Sequence, residues 1–246
     1  MNALTYARYE VIRTFRNRRL VILSFGFPLA LYFLIAGPNR HVHDLGGSGI
    51  SAPLYFMVGL AAFGTMNAVL GSGARIAVER SRGWNRQLRL TPLSTRTYFR
   101  VKVLAAYVTA LVTITTLYIA GATLGVRLDA GDWIVMTLLI LVGLIPFAAL
   151  GILIGHVVPP DSIGPAIGGT TALLAFLGGV WYPITGGAMH VIAQALPSYW
   201  LVQADRVGLG GHGWGPTGWL VMAAWTVAAA VLAGRAYRRD AERAAA

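Results

Sequence analysis

The sequence predicts an all-α integral membrane protein with six transmembrane helices, and three observations predict it. Hydrophobic residues make up 56% of the 246-residue chain and charged residues 12%, with a mean hydropathy of +0.63, outside the range of soluble globular domains. Six runs, 20–36, 54–74, 103–126, 133–155, 163–182 and 218–234, are long enough to cross about 30 Å of hydrocarbon as helices, and none contains a charged residue. The twenty Lys and Arg residues are also segregated: five precede the first run, eight lie between Arg75 and Lys102, and four follow the sixth. Only Arg40, Arg127 and Arg206 fall on the other side, so both termini and the 75–102 segment are predicted to be cytoplasmic. Six spans satisfy this partition, whereas five or seven place the arginine-rich tail outside.

Taken in chain order, "ALTYARYEVIRTFRNRR" spaces Leu4, Ala7, Val11 and Phe15 as one helical stripe and reads as an amphipathic helix lying along the membrane surface. The first span follows an Arg-rich segment as a signal peptide would, but its exit "LIAGPNR" has no A-x-A site, so it reads as a retained helix. Pro28 and Pro146 are expected to kink spans one and four, because proline removes an intrahelical hydrogen bond. Span three carries Thr109, Thr113, Thr116 and Thr123 on one stripe, which favours helix packing. In span five Gly164, Gly168, Ala172, Ala175 and Gly179 form a face nearly without side chains, suited to close packing within the chain or across a dimer.

Between spans five and six, residues 183–216 are too polar to cross a membrane and too apolar for an ordinary loop. Met189 to Leu196 would bury Met189, Ile192, Ala193 and Leu196 on one face, and Trp181, Tyr182, Tyr199 and Trp200 are residues that favour the headgroup level. Short helices dipping into the outer leaflet are the expectation.

The spans hold no Asp, Glu, Lys or Arg, which speaks against an ion-coupled transporter, since coupling needs ionisable groups at midplane. Asn67 is the only strongly polar side chain deep in a span, and reads as helix glue. The absence of cysteine excludes disulfides and thiolate sites, and there is no G-x-x-x-x-G-K-[ST] loop to hold ATP. His41, His43 and Asp44 in "RHVHD" are a weak metal signal, and no metallopeptidase or nucleophile-elbow motif is present. The alternation of basic residues with long apolar runs argues for membrane topology over nucleic-acid binding.

The 75–102 segment asks for more than topology. Drawn as a helix from Glu79 to Leu90, it sets Arg82, Arg86 and Arg89 on one face and Trp84 with Leu88 on another, before Pro92 stops it. Arginines suit anionic headgroups, whereas an aromatic beside an aliphatic residue suits a protein groove. The order Glu79, three residues, Gly83, Leu88, "TPLS" at 91–94, then Tyr98 and Lys102 entering a span resembles the cytoplasmic loop of ABC-2 type transporter permeases. "GGVWYPI" at 178–184 and "LPSYWLVQADR" at 196–206 resemble that family again, and the small drug-exporter membrane subunits are the most similar members. The resemblance covers essentially the whole chain as one transmembrane domain, 1–246.

The resemblance implies two six-span subunits, paired as a homodimer of this chain in the lipid bilayer, above two copies of a separate ATPase that binds ATP and magnesium. It implies no cofactor in this chain and no enzymatic activity of its own. The 78–97 loop is implied to hold a coupling helix seated in the ATPase, with Glu79, Arg82, Gly83, Trp84, Arg86, Leu88, Thr91 and Pro92 as its contacts. Family members usually carry a small polar residue after the loop glycine, where Trp84 stands here. Trp181, Tyr182, Pro183, Pro197, Tyr199 and Trp200 are implied as an outer gate. The expected function is export of an amphipathic or hydrophobic compound across a bacterial plasma membrane. Glycopolymer or lipid-linked carbohydrate export, and a non-transporting anchor or sensor, are the alternatives.

Overall fold

The computed structural model describes residues 3–83, 95–210 and 213–243, and among these the chain is helical without strands. The amino-terminal helix α1 (Ala3–Arg16) is followed by one turn, α2 (Arg18–Val21), then a π-helical turn (Ile22–Gly26) and α3 (Phe27–Ala36). Pro28 stands at the second residue of α3 and the wide turn directly before it absorbs the bond that proline cannot donate. The carbonyl of Ser24 in that turn lies against Gly64, where a side chain would collide with it.

The longest helix, α4 (Ala52–Ser81), begins with Pro53 in its first turn, where a missing N–H costs nothing, and forms the centre of the bundle. Its apolar window is 94% buried, and it packs against α3, α5 (Thr95–Thr123), α7 (Ile145–Val157), α8 (Ile163–Leu177) and α10 (Pro197–Val202). Helix α6 (Ala130–Gly143) runs into α7 through a single break at Leu144, two residues before Pro146, as the proline predicts. Helix α9 (Gly187–Gln194) and α10 lead into a 3₁₀ segment, Gln203–Leu209, and α11 (Pro216–Arg243) closes the chain by packing on α7.

Among the described residues, four helical stretches are long and apolar enough to cross a membrane: Ala52–Ser81, Thr97–Thr123, Ala130–Val157 and Pro216–Arg239. The expected first span is a shorter apolar helix, Ser24–Ala36. The fifth differs from expectation: α8 stops at Leu177, roughly 23 Å of helix at 1.5 Å per residue, because the chain turns at Gly178 and at Gly179, whose φ is +78°. Trp181 and Tyr182 therefore lie outside that helix. Apolar residues turned outward, such as Ile119 on α5, Leu138 on α6, Phe176 on α8 and Leu220 on α11, give the bundle a surface matched to hydrocarbon.

The threonine stripe and Asn67 bond within their own helices. Thr109, Thr113, Thr116 and Thr123 each donate to a carbonyl three or four residues back, and Asn67 donates to the carbonyl of Phe63 on its own helix. A close crossing between two helices lies away from α8. It joins α4 to α7, where Gly73 faces Gly151 and Gly155: a Cβ on Gly155 would stand 2.6 Å from the Gly73 carbonyl oxygen, and one on Gly151 2.9 Å from that of Leu70. The GILIG sequence is thus the small-xxx-small site of the fold. On α8, Ala175 is buried and so is Gly179 just beyond it, but Gly164 and Gly168 face open space and Ala172 is exposed.

Candidate functional site

The arginine-rich end of the bundle carries charges in its interior. Helix α1 buries Tyr6, Glu10 and Thr14, spaced four residues apart, against α5. The stripe turned inward is therefore polar, while Tyr9, Ile12 and Phe15 are exposed on other sides of the helix. Glu79 reaches the same place from the last turn of α4, and Tyr98 and Lys102 from the first turns of α5.

Lys102 Nζ lies 2.9 Å from Glu10 Oε1 and 2.7 Å from Glu79 Oε1. Arg13 lies 3.0 Å from the same Glu10 oxygen and also donates to Glu79 Oε1, while the Tyr98 hydroxyl donates to Glu79 Oε2. Arg75 donates to Thr14 Oγ1 at 3.3 Å, and Thr14 in turn donates to the Glu10 carbonyl at 2.9 Å. Lys102 is 2% exposed and Glu10 3%, so these pairs act in a medium of low dielectric, where bonding must be complete for the charges to be tolerated. Arg13, about half exposed, caps the cluster toward solvent. Burial works against its charge, but the bond to Glu79 and the charges of Glu10 and Glu79 outweigh it and raise its pKa.

Around this core the stems of the basic loop are tied to two further helices. Arg80 donates to the carbonyl of His156 at the end of α7, at 2.8 Å. Phe99 and His156 both meet the ring of Tyr237 on α11, with centroids 5.7 and 5.6 Å away. Residues on either side of the loop, 79–80 and 98–102, are thus held to α1, α7 and α11.

The expectation that Glu79 opens a separate cytoplasmic helix is corrected. Glu79 belongs to α4, which ends at Ser81, and Gly83 at φ +70° adopts the left-handed conformation that terminates it. Its carboxylate is 9% exposed and turned into the cluster. Arg82 is exposed at the helix end. Trp84, Arg86, Leu88, Thr91 and Pro92 lie outside the described residues.

At the opposite end Pro183, Pro197, Tyr199 and Trp200 are buried, Trp181 packs on Phe63 with ring centroids 5.4 Å apart, and Tyr182 is exposed. Tyr199 and Trp200 belong to α10 inside the protein and do not sit at a headgroup surface, a second correction. The Trp200 indole donates to the Gln194 carbonyl at 2.9 Å, and the Trp214 indole donates to the Trp200 carbonyl. On α9 only Ala193 of the four expected residues is fully buried, and Ile192 is exposed. Asp44, considered as a metal ligand, accepts the Gly49 N–H at 2.8 Å and closes its own loop.

Glu10 and Arg13 are the residues that sequence reasoning missed, while Tyr98 and Lys102 entered it only as marks of the loop motif and not as partners of an ion pair. Their spacing on α1 carries a signal: Glu10 on a face with Tyr6 and Thr14, opposite an apolar stripe, is costly unless a cation waits in the fold.

Apolar helices of membrane-crossing length, outward-facing aliphatic surfaces and charges drawn together at one end define an all-helical membrane protein. Comparison with known proteins makes the class specific. The family model described as ABC-2 type transporter matches residues 2–209. The chain is 31% identical over 195 residues to "Putative transport permease YvfS" of Bacillus subtilis (strain 168), across 77% of this chain and 78% of that protein. The chain belongs to the ABC-2 type transporter family: it is a transporter membrane subunit rather than an enzyme, and the family implies association with an ABC ATPase.

Proposed function

We propose that the chain is the six-span permease subunit of an ABC exporter, with both termini and the 78–97 loop on the cytoplasmic side of a bacterial plasma membrane. It moves an amphipathic or hydrophobic compound outward, using ATP hydrolysed by two copies of a separate ATPase that also bind the magnesium. The observation that carries this reading is the charge cluster joining both stems of the loop to α1. A soluble ATPase moves membrane helices only if the element it pushes is rigidly joined to them. Buried ion pairs on both stems supply that stiffness, since sliding them apart leaves charges unpaired in low dielectric.

On this reading Arg82, Gly83, Trp84, Arg86, Leu88, Thr91 and Pro92 meet the ATPase, and Glu79 is a positioning residue that fixes the loop from inside. Two permease copies pair, and the open face of Gly164, Gly168 and Ala172 supports a close helix contact between them. Trp181, Tyr182, Pro183, Pro197, Tyr199 and Trp200 form the exit. The aliphatic and threonine-lined spans favour a small, greasy cargo over a polymer.

The test is co-expression with an ABC ATPase encoded beside the gene, followed by co-purification, ATP hydrolysis in nanodiscs, and ATP-dependent uptake of lipophilic dyes into inside-out vesicles. Association, stimulated hydrolysis and dye uptake are expected. Loss of both association and stimulation overturns the reading. Association with no transport of any compound makes the chain an anchor, and transport confined to lipid-linked sugars selects the carbohydrate alternative.

A further inference from the structure

The end of the bundle away from the charge cluster holds a buried carboxyl group with no cation bonded to it. Asp205 sits in the 3₁₀ segment Gln203–Leu209, which packs on α4, α6 and α10, and is 1% exposed. Its Oδ2 is buried and has no hydrogen-bond partner among the described residues. It lines a cavity of about 20 Å³, room for one water molecule, with Ser48, Tyr55, Tyr199, Val202 and Gln203. The neighbouring Arg206 does not neutralise it by contact: its side chain is exposed and its Nε donates to Gln203 Oε1.

An ionised carboxylate in this position has no more than the cavity's single water and no bonded counter-ion, whereas the protonated acid is tolerated. We propose that Asp205 is a proton-operated latch: its carboxyl is neutral while the 3₁₀ segment is seated on α4, α6 and α10, and it ionises when the segment lifts and admits water. The carboxyl O–H bond breaks, the electron pair stays on Asp205 and the proton passes to the entering water.

Burial pushes Asp205 up to about 8, with the Arg206 charge and the backbone N–H groups of Arg206 and Asp205 pulling the other way. Among the described residues, the titratable groups that line the cavity with it are Arg206 of its own segment, Tyr55 of α4 and Tyr199 of α10, the last two phenols and uncharged in this range. The seated form therefore binds the extra proton. Its advantage is complete below the ordinary carboxylate value of about 4, and falls roughly tenfold per pH unit up to about 8. Acidity on this side holds the segment down, and rising pH releases it.

The chain contains no cysteine, so single thiols report cleanly. Val202→Cys places one on the buried wall of the cavity, and Ala188→Cys places a reference on the exposed face of α9. With the full chain in nanodiscs, the labelling rate of the first divided by that of the second cancels the thiol's own titration. The ratio is expected to rise steeply, up to about tenfold per unit, between pH 5 and 8 with Asp205, and to stay low and flat in Asp205→Asn, whose amide imitates the neutral acid. A flat ratio with Asp205, or an equal slope in Asp205→Asn, overturns the latch. Infrared spectroscopy of otherwise unaltered protein gives an independent reading. A protonated-carboxyl stretch present at pH 6, absent from Asp205→Asn and lost around pH 8 is expected, and its absence at pH 6 rejects the proposal. Neither measurement uses the ATPase or the cargo, so failure here is separate from failure of the exporter reading.

Discussion

Lys102 holds two carboxylates from two different helices, and its removal leaves Glu10 and Glu79 sharing the half-exposed Arg13. Losing one member of a buried pair costs ~3–5 kcal/mol, so Lys102→Met should markedly lower the thermal unfolding temperature in detergent. Adding Glu10→Gln to that variant should recover part of the loss, because only Glu79 then stays charged, with Arg13 and Tyr98 still bonded to it. Equal melting of the single and double variants would show that Lys102 acts through packing and not charge. Asp205 is the counterpart at the other end, a carboxyl kept where a charge is not wanted. The two ends treat acids oppositely because one supplies cations by contact and the other does not.

At the scale of helices, the α4–α7 crossing makes a prediction that sorts one set of small residues from another. Gly151→Leu puts a side chain into the backbone of α4, and overpacking of this kind costs about 1–3 kcal/mol or more. At Gly168 a Cβ has no described atom within 4 Å, so Gly168→Leu starts from open space. Thermal stability of the isolated subunit should therefore fall for Gly151→Leu and stay unchanged for Gly168→Leu. If Gly168 belongs to a contact between two copies, as proposed, cross-linked dimer should decline in that variant alone. The sequence displayed GILIG as plainly as the α8 stripe, but spacing alone does not say which small face meets a neighbour. Pro146 was easier, since proline's lost bond acts on its own helix wherever that helix packs.

The whole molecule joins a charged end to an apolar body, and its working prediction concerns force passing between them. Trp84→Asp should leave membrane insertion intact yet weaken ATPase association and stimulation, as it puts a charge where an indole is proposed to enter a groove. Glu79→Gln tests the other half of the proposal. It keeps the loop surface and loosens a stem, so the ATPase should still bind while hydrolysis and transport become uncoupled. Co-purification measured beside ATP-dependent uptake separates the two. Loss of binding in Glu79→Gln would return that residue to the docking surface.

The sequence by itself determined the helical membrane class, the segregation of arginines and the motifs of the ABC-2 family, because hydropathy, loop charge and short spacings are local properties. It also placed the Pro146 break, and a short helix at Met189 to Leu196 that falls at Gly187–Gln194. Only the tertiary structure decided that Glu79 turns inward, that Glu10, Arg13 and Lys102 meet it, and that Asp205 is shut away from water. Residues 10, 79 and 102 have no relation along the chain. Their meeting depends on how α1, α4 and α5 cross, and no local pattern along the chain fixes that crossing.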